Sequence, residues 1–266
     1  MAINYPSIDP IIYSFGILKL SWYSLSYIFG IIIGYYYVLR LNKLRALPLD
    51  KKLIDDSISY IVVGIIAGGR LGYVIFYQPF YYLVNPFDIL KTWQGGMSFH
   101  GAVIGVVLSI YLFARSRKIS FLYYIDYIAA AAPIGFFFGR IANFVNDELW
   151  GKVSNVPWAV TFPRGGYLPR HPSQLYEAVL EGIVLYVILY LFFKSKYRNY
   201  RGFIGSQFMI FYAIFRMTVE IFRQPDEQLG YILTHMTMGQ ILSIPMVLIG
   251  IFGTYYSLKI GADGKQ

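Results

Sequence analysis

The sequence of 266 residues contains no cysteine. The protein therefore forms no disulfide bond, has no thiol nucleophile and offers no cysteine for lipid attachment. Charged residues are also scarce at 14%, whereas soluble domains carry about a quarter. The mean hydropathy is +0.51, and several apolar runs approach the roughly 20 residues that cross a bilayer. This composition indicates an integral membrane protein.

The N-terminus lacks a basic region followed by a small-residue cleavage site, so we expect no signal peptide to be removed. Basic residues exceed acidic ones by nine (net charge +9). In a membrane protein such an excess anchors loops beside the lipid headgroups, and we expect no nucleic-acid partner. The 26 tyrosines and 21 phenylalanines fit interfacial belts and packing between helices, in contact with membrane lipids.

Hydrophobic patterning predicts an all-α, polytopic membrane protein with seven spans. No charged linker divides the chain, so we predict a single transmembrane domain over residues 1–266. The predicted spans are 20–40, 57–77, 97–114, 121–142, 174–193, 203–222 and 237–257.

Alternate connections carry most of the basic residues, which predicts the orientation of the chain. The basic clusters lie at 40–52, 115–118 and 194–201, and we place them in the cytoplasm. The N-terminus is then outside and the C-terminus cytoplasmic. The long connection 144–173, rich in Trp, Pro and Gly, becomes an outside-facing loop or arm.

Three arginines, Arg70, Arg140 and Arg216, fall in the outer halves of outward-running spans. An intramembrane arginine is costly and is usually functional, and its planar fork binds two phosphate oxygens at once. The arginines could therefore meet at one level and bind an anionic headgroup. Alternatively, they reach the interface or pair with carboxylates. Tyr212, Arg216 and Glu220 share one helical face and fit an ion pair, a substrate wall or both.

Small residues recur beside two of these arginines. Gly-Arg-Leu-Gly stands at 69–72 and Gly-Arg-Ile-Ala at 139–142. Both segments predict close contacts between helices.

His100 follows the glycine-rich segment 95–99 at the outer start of the third span. An imidazole exchanges protons near neutral pH, which makes His100 a candidate base or substrate-orienting group. A structural, hydrogen-bonded histidine is the alternative. The sequence assigns no role to His171 or His235.

The segment 139–151 is too polar for a lipid-facing wall, since it carries an arginine, two asparagines and two acids. Asn143 could donate to a phosphate or hold a turn, and Gly151 is expected to adopt a backbone angle that a side chain forbids. Further on, Ser173 after a proline predicts a helix cap. Glu177 is expected to pair with an arginine rather than to act as a base.

Taken together, these motifs resemble the prolipoprotein diacylglyceryl transferase family over nearly the whole chain. The block at 139–151, with its spacing of Arg, Asn, Glu, Trp and Gly, is the most specific. The sequence departs from the family's pattern where Ala102, Ala142 and Asp147 replace a common glycine, which concerns the local backbone only. The other matching segments are 22–23, 95–100, 170–177, 222–226 and 238–245.

The resemblance implies an enzyme of the bacterial inner membrane that needs no cofactor and no metal. It would transfer a diacylglyceryl group from phosphatidylglycerol to the lipobox cysteine of a prolipoprotein signal peptide, forming a thioether and releasing glycerol phosphate. His100 would take the thiol proton, while Arg140 and Arg216 would stabilise the departing phosphate. The resemblance implies further substrate-binding roles for Tyr23, Asn143, Glu148, Gly151, Tyr212 and Glu220.

Two other functions use the same features. A transporter of anionic lipids would need the same arginines, but an inverted repeat is not evident and the polar groups cluster toward one side. A structural membrane scaffold would leave His100 and Asn143 without a role.

Overall fold

The computed structural model describes residues 3–16, 18–225 and 236–262. Helices dominate it, which confirms an all-α polytopic membrane protein. The long helices are α1 (Trp22–Asn42), α2 (Lys51–Phe76), α4 (Phe99–Ser116), α5 (Phe121–Val145), α6 (Ser173–Lys194), α7 (Phe203–Glu220) and α8 (Met238–Ile260), and a short α3 (Pro79–Val84) follows α2.

Each long helix coincides with one predicted span to within a few residues, except that α2 begins at Lys51, six residues early. Five of them, α1, α2, α5, α6 and α8, are long and apolar enough to cross a membrane. Helix α4 contains a shorter apolar stretch, and α7 carries Arg216 and Glu220 within its 18 residues. The number of true spans therefore stays a prediction.

The described residues fall into two compact units: those within 1–46 and 126–262 form the first, and residues 47–125 form the second. In the first unit, a small three-stranded sheet orders part of the connection before α6. Strand β1 (Ile3–Asn4) pairs in parallel with β4 (Val160–Thr161), which pairs antiparallel with β5 (Pro169–Arg170). A separate hairpin joins β2 (Ile11–Phe15) to β3 (Leu18–Ser21).

An apolar cluster includes residues of the three-stranded sheet and its neighbours. Tyr5, Val160 and Phe162 are buried there, with Phe144 and Trp150 packed against them. The Tyr5 hydroxyl donates to the carbonyl oxygen of Val145 at 2.6 Å. The predicted loop 144–173 thus begins at the end of α5 and is attached to the N-terminal strand.

In the second unit, α2 and α4 pack with their backbones in close contact. A Cβ added at Gly68 would lie 2.4 Å from the carbonyl oxygen of Gly101 and 2.7 Å from Cα of Gly105, while one at Gly72 would lie 2.6 Å from Cα of Gly101. Small residues allow such approach in lipid, where packing rather than hydrophobic burial drives helix association. The predicted contact at 69–72 is confirmed. At Gly139, by contrast, an added Cβ would meet nothing within 4 Å, so the prediction at 139–142 is wrong for that glycine.

Candidate active site

Helix α6 brings two glutamates into the interior of the first unit. Glu177 and Glu181 have no solvent exposure at all, and both lie in or beside a π-helical stretch, Ala178–Val184. Such wide turns often mark functional sites. Gly182 in the same stretch allows close packing, since a Cβ there would lie 2.8 Å from Cβ of Phe137 on α5.

Arg140, near the end of α5, binds both of these glutamates. Its Nε lies 2.9 Å from Glu177 Oε2 and its Nη2 lies 3.2 Å from Glu181 Oε2. The planar guanidinium group therefore spans two carboxylates that are one helical turn apart.

Arg216 on α7 approaches the same pair from another helix. Its Nη1 donates to Glu177 Oε1 at 2.8 Å and lies 3.8 Å from Glu181 Oε1. Its Nη2 pairs with Glu220 one turn along α7. The helical face predicted from Tyr212, Arg216 and Glu220 thus contains an ion pair.

A third arginine completes the group: Arg223 Nη1 donates to Glu177 Oε1 at 3.4 Å. Three arginines and three glutamates, whose formal charges cancel, form what we call the Arg–Glu cluster. Its members are Arg140, Arg216, Arg223, Glu177, Glu181 and Glu220.

The side chains of the arginines in the Arg–Glu cluster are slightly exposed, whereas those of Glu177 and Glu181 are completely buried. The side chains of Arg140 and Arg216 are 15% and 14% exposed, against 0% for these two glutamates. Burying an unpaired charge is very costly, so the carboxylates neutralise and orient the guanidinium groups. Both arginines therefore pair with carboxylates, and their binding of an anionic headgroup stays a prediction.

Tyr212 forms an aromatic wall beside Arg216 on α7. Its ring stacks on Phe208, with centroids 5.6 Å apart, and tilts against Phe136, 5.3 Å away. Tyr23 on α1 is partly exposed, and the hydroxyl of Tyr27 donates to its hydroxyl at 3.4 Å.

Asn143 and Glu148 contact each other directly. Asn143 Nδ2 donates to Glu148 Oε1 at 2.8 Å, and Asn143 is buried. The chain reverses between them through Asp147, whose φ of +54° lies in the left-handed region that favours glycine. Here the Arg164 backbone N–H donates to Asp147 Oδ2 at 2.7 Å.

Gly151 is required for space rather than for an unusual backbone angle. It is not among the glycines with positive φ, so the expectation of a special angle is wrong. A Cβ at this position would lie 2.6 Å from the carbonyl oxygens of both His171 and Phe222. The Gly151 N–H donates to the His171 carbonyl at 2.8 Å, so two neighbouring strands of chain converge on this residue.

Ser173 does not cap α6, because it is already the first residue of the helix and its N-cap is Pro172, without a side-chain hydrogen bond. The Ser173 hydroxyl instead donates to the Leu149 carbonyl at 2.9 Å, while Gln174 donates to the Glu148 carbonyl at 2.6 Å. The start of α6 therefore fixes the segment that carries Glu148 and Gly151.

His171 lies just before α6 in an aromatic cluster. Its Nδ1 is 3.0 Å from the hydroxyl of Tyr176, which accepts from Trp158 Nε1 at 2.7 Å. Burial, followed by the charge of Lys152, lowers the pKa of His171. His235 lies outside the described residues.

His100 and Arg70 belong to the second unit. His100 is the second residue of α4 and is exposed. Arg70 is buried in α2, and its guanidinium group donates to backbone carbonyls of residues 88–96. A common level for His100, Arg70 and the Arg–Glu cluster stays a prediction.

Sequence reasoning missed Glu181 and did not recognise how many partners Glu177 has. A signal was present, since Glu177 and Glu181 are four residues apart within an otherwise apolar helix, which places both on one face. Across the described ranges, no group of three or more His, Cys, Asp or Glu side chains is arranged to hold a metal ion.

Comparison with known proteins identifies close relatives. The family model described as prolipoprotein diacylglyceryl transferase matches residues 10–256. Proteins named phosphatidylglycerol–prolipoprotein diacylglyceryl transferase are similar over almost their whole length. The protein from Rickettsia felis is 52% identical over 94% of this chain and 96% of its own. The one from Rickettsia canadensis is 52% identical over 92% and 95%.

Proposed function

Since the chain belongs to the prolipoprotein diacylglyceryl transferase family, we propose that it transfers a diacylglyceryl group from phosphatidylglycerol to the lipobox cysteine of a prolipoprotein. This is the first step of lipoprotein maturation, and it makes the protein a multi-pass membrane transferase. The Arg–Glu cluster is the observation that supports the proposed chemistry. We place the protein in the inner membrane, with its N-terminus outside and its C-terminus in the cytoplasm.

The reaction is a direct displacement. The cysteine sulfur attacks the phosphate-bearing carbon of the diacylglyceryl group, and a C–S bond forms as the bond between that carbon and the phosphate oxygen breaks. The electron pair of the broken bond leaves on the phosphate oxygen, so glycerol phosphate departs. A thiol of pKa about 8.5 is mostly protonated at neutral pH, and His100 takes its proton.

Arg140 and Arg216 stabilise the negative charge that develops on the departing phosphate. Their side chains, which are 15% and 14% exposed, donate to the phosphate oxygens, while Glu177, Glu181 and Glu220 hold the guanidinium groups in place. Donors that are already oriented need no reorganisation in the transition state, which is where electrostatic catalysis gains most. Because the formal charges of the cluster cancel, its contribution depends on donor geometry rather than on a general positive field.

The remaining predicted site residues shape the space around these arginines. Asn143 and Glu148 hold the turn after α5, and Gly151 allows the close approach of the neighbouring chain. Tyr212 presents an aromatic face beside Arg216. We assign Tyr23, on α1, to the substrate-facing surface as well.

A reconstituted assay tests the proposed function. Purified protein is mixed with phosphatidylglycerol and a lipobox peptide, and mass spectrometry follows the addition of a diacylglyceryl group to cysteine. We expect the mass shift with the cysteine peptide and none with a matched peptide in which serine replaces the cysteine. No shift from protein that remains folded would contradict the proposed function and favour transport of an anionic lipid.

A further inference from the structure

Arg70 lies in the last third of α2 and is almost completely buried. Its Nε donates to the carbonyl of Ile89 at 2.8 Å, and Nη1 donates to those of Gly95 and Gly96 at 2.5 and 3.1 Å. Its Nη2 donates to the carbonyls of Asp88 and Lys91 at 2.6 and 3.3 Å. A guanidinium group has five N–H donors, and these five acceptors engage all of them.

The carbonyls belong to one irregular segment, 85–98, that connects α3 to α4. Short 3-10 turns occupy Pro86–Leu90 and Thr92–Gln94. Phe87, Leu90 and Trp93 in this segment expose most of their apolar surface, as expected beside lipid. Irregular backbone near a membrane must have its polar groups satisfied by protein, and Arg70 satisfies five carbonyls at once.

The segment ends at the first turn of α4. Ser98 N–H donates to the carbonyl of Gly69, the neighbour of Arg70, at 2.8 Å, and the Ser98 hydroxyl caps α4 by accepting from the Gly101 N–H at 3.2 Å. His100 lies between these two residues. Gly69 and Arg70, which are adjacent in α2, therefore hold the end and the middle of segment 85–98. His100 follows this segment by two residues.

Gly96 shows how closely the segment fits around Arg70. Its φ of +78° is in the left-handed region, and an added Cβ would lie 2.9 Å from Arg70 Nη1 and 2.6 Å from the ring of Tyr73. Any side chain at this position would push the guanidinium group away from its acceptors.

We propose that Arg70 is a positioning residue for the proposed base, His100, and does not bind the lipid phosphate. It acts by holding segment 85–98 and thereby the first turn of α4. This inference rests on the proposed function, since it assigns His100 a role in the transfer reaction. Arg70 is thus separate in role from Arg140 and Arg216, although all three look alike in the sequence.

Arg70→Lys tests the inference, because lysine keeps the charge but has three donors on one atom and cannot reach five carbonyls. We expect kcat to fall by roughly tenfold to a hundredfold, as small misplacements of catalytic groups do, with KM for phosphatidylglycerol unchanged. Gly96→Ala should produce the same loss by displacing the guanidinium group, although residue 70 is still an arginine. Arg117→Lys, at the exposed ion pair with Asp56 in the same unit, is the matched control and should keep kcat.

Coupling to His100 separates positioning from general destabilisation. If Arg70 acts through His100, the double variant Arg70→Lys with His100→Asn should match the kcat of His100→Asn to within about twofold, the scatter of additive effects. The inference would be overturned if the double variant lost kcat by the product of the two single losses. A raised KM for phosphatidylglycerol in Arg70→Lys would also overturn it.

Hydrogen exchange gives a readout that is independent of the reaction. Peptides covering 85–100 should exchange faster in Arg70→Lys than in the unmodified protein, while peptides covering 203–220 should not change. Unchanged exchange over 85–100 would overturn the inference even if the unmodified enzyme is active. If the unmodified protein is inactive but the exchange pattern is as expected, the proposed function is contradicted. The finding that Arg70 holds segment 85–98 is then still supported.

Discussion

Arg216 Nη1 lies 2.8 Å from Oε1 of Glu177, a carboxylate that has no exposure to solvent. The other oxygen of the same carboxylate lies 2.9 Å from Arg140. One glutamate from α6 therefore links arginines from two other helices, α5 and α7. This geometry fixes the spacing between the two guanidinium groups that we propose act on phosphate.

Arg140→Lys retains one positive charge but loses the planar fork that spans Glu177 and Glu181. We expect the protein to insert normally and the rate of transfer to fall by at least about tenfold, since the two residues are not equivalent at bidentate sites. The initial rate of diacylglyceryl addition to a lipobox peptide measures the effect. Arg117→Lys at the exposed pair is the control, and near-normal turnover of Arg140→Lys would show that a point charge suffices.

Glu177→Gln leaves Arg140, Arg216 and Arg223 without their shared carboxylate. Removing one partner of a buried ion pair costs about 3–5 kcal/mol, so we expect a marked fall in Tm of the detergent-solubilised protein. Asp56→Asn breaks the exposed pair with Arg117, which should cost about 1 kcal/mol or less. Equal Tm values for the two variants would mean that the Arg–Glu cluster adds little to stability.

His100→Asn keeps some hydrogen-bonding capacity but cannot accept a proton at neutral pH. We predict that turnover falls by about 10²-fold or more, with a smaller effect on lipid binding. In a plot of turnover against pH, the variant should lose the rise that deprotonation of the base produces. Its residual rate should be proportional to the fraction of substrate thiol that is already ionised. A variant that keeps both its rate and this rise would make His100 structural, with Tyr23 or Glu220 as the next candidates.

Gly68→Ala places a methyl group against the backbone of α4, 2.4 Å from the Gly101 carbonyl in the unadjusted structure. Either helix must move, so we expect a lower Tm together with reduced turnover. Gly139→Ala is the matched control, because its added Cβ would meet nothing within 4 Å and alanine favours helix by up to about 1 kcal/mol over glycine. A loss of Tm in the control as large as in Gly68→Ala would refute the packing argument.

The orientation can be measured directly, because the chain has no cysteine of its own. Single cysteines placed within 43–52, 115–118 or 194–201 should resist a membrane-impermeant thiol reagent in intact cells and react after permeabilisation. A cysteine at 154, in the connection 144–173, should react in intact cells. Labelling of a cysteine within 115–118 in intact cells would show that the predicted orientation is wrong.

Much of the helical architecture was readable from the sequence, because apolar runs of span length leave few alternatives in a bilayer. The spans predicted at 121–142 and 174–193 correspond to α5 and α6, with ends that differ by three residues or fewer. The start of α2 was misjudged, since Lys51–Asp56 continues the helix beyond the apolar run. Four of the six residues Lys51–Asp56 are charged, which weakens the hydrophobic signal there, although the Asp50 side chain caps the helix.

The local detail of the site was less predictable. Ser173 has the sequence context of a helix cap, yet its hydroxyl holds the Leu149 carbonyl because the chain before α6 folds back on it. Gly151 was expected to adopt an unusual backbone angle, yet it is required for space beside His171 and Phe222. Both predictions were wrong for the same reason: a sequence motif shows which residue type occurs at a position but not which residues contact it in the fold.

The sequence by itself determined that the protein is embedded in a membrane and where along the chain its long helices lie. It also showed which polar residues are so costly to place in lipid that they are expected to be functional. It also determined the family, because the spaced motifs extend through nearly the whole chain. The tertiary structure alone decided which charges meet. Arg70, Arg140 and Arg216 are equivalent in the sequence as intramembrane cations. Arg70 contacts carbonyls 18 to 26 residues away along the chain, whereas Arg140 and Arg216 contact Glu177, 37 and 39 residues away. Ion pairing depends on distances between helices, which neither hydropathy nor helical periodicity contains.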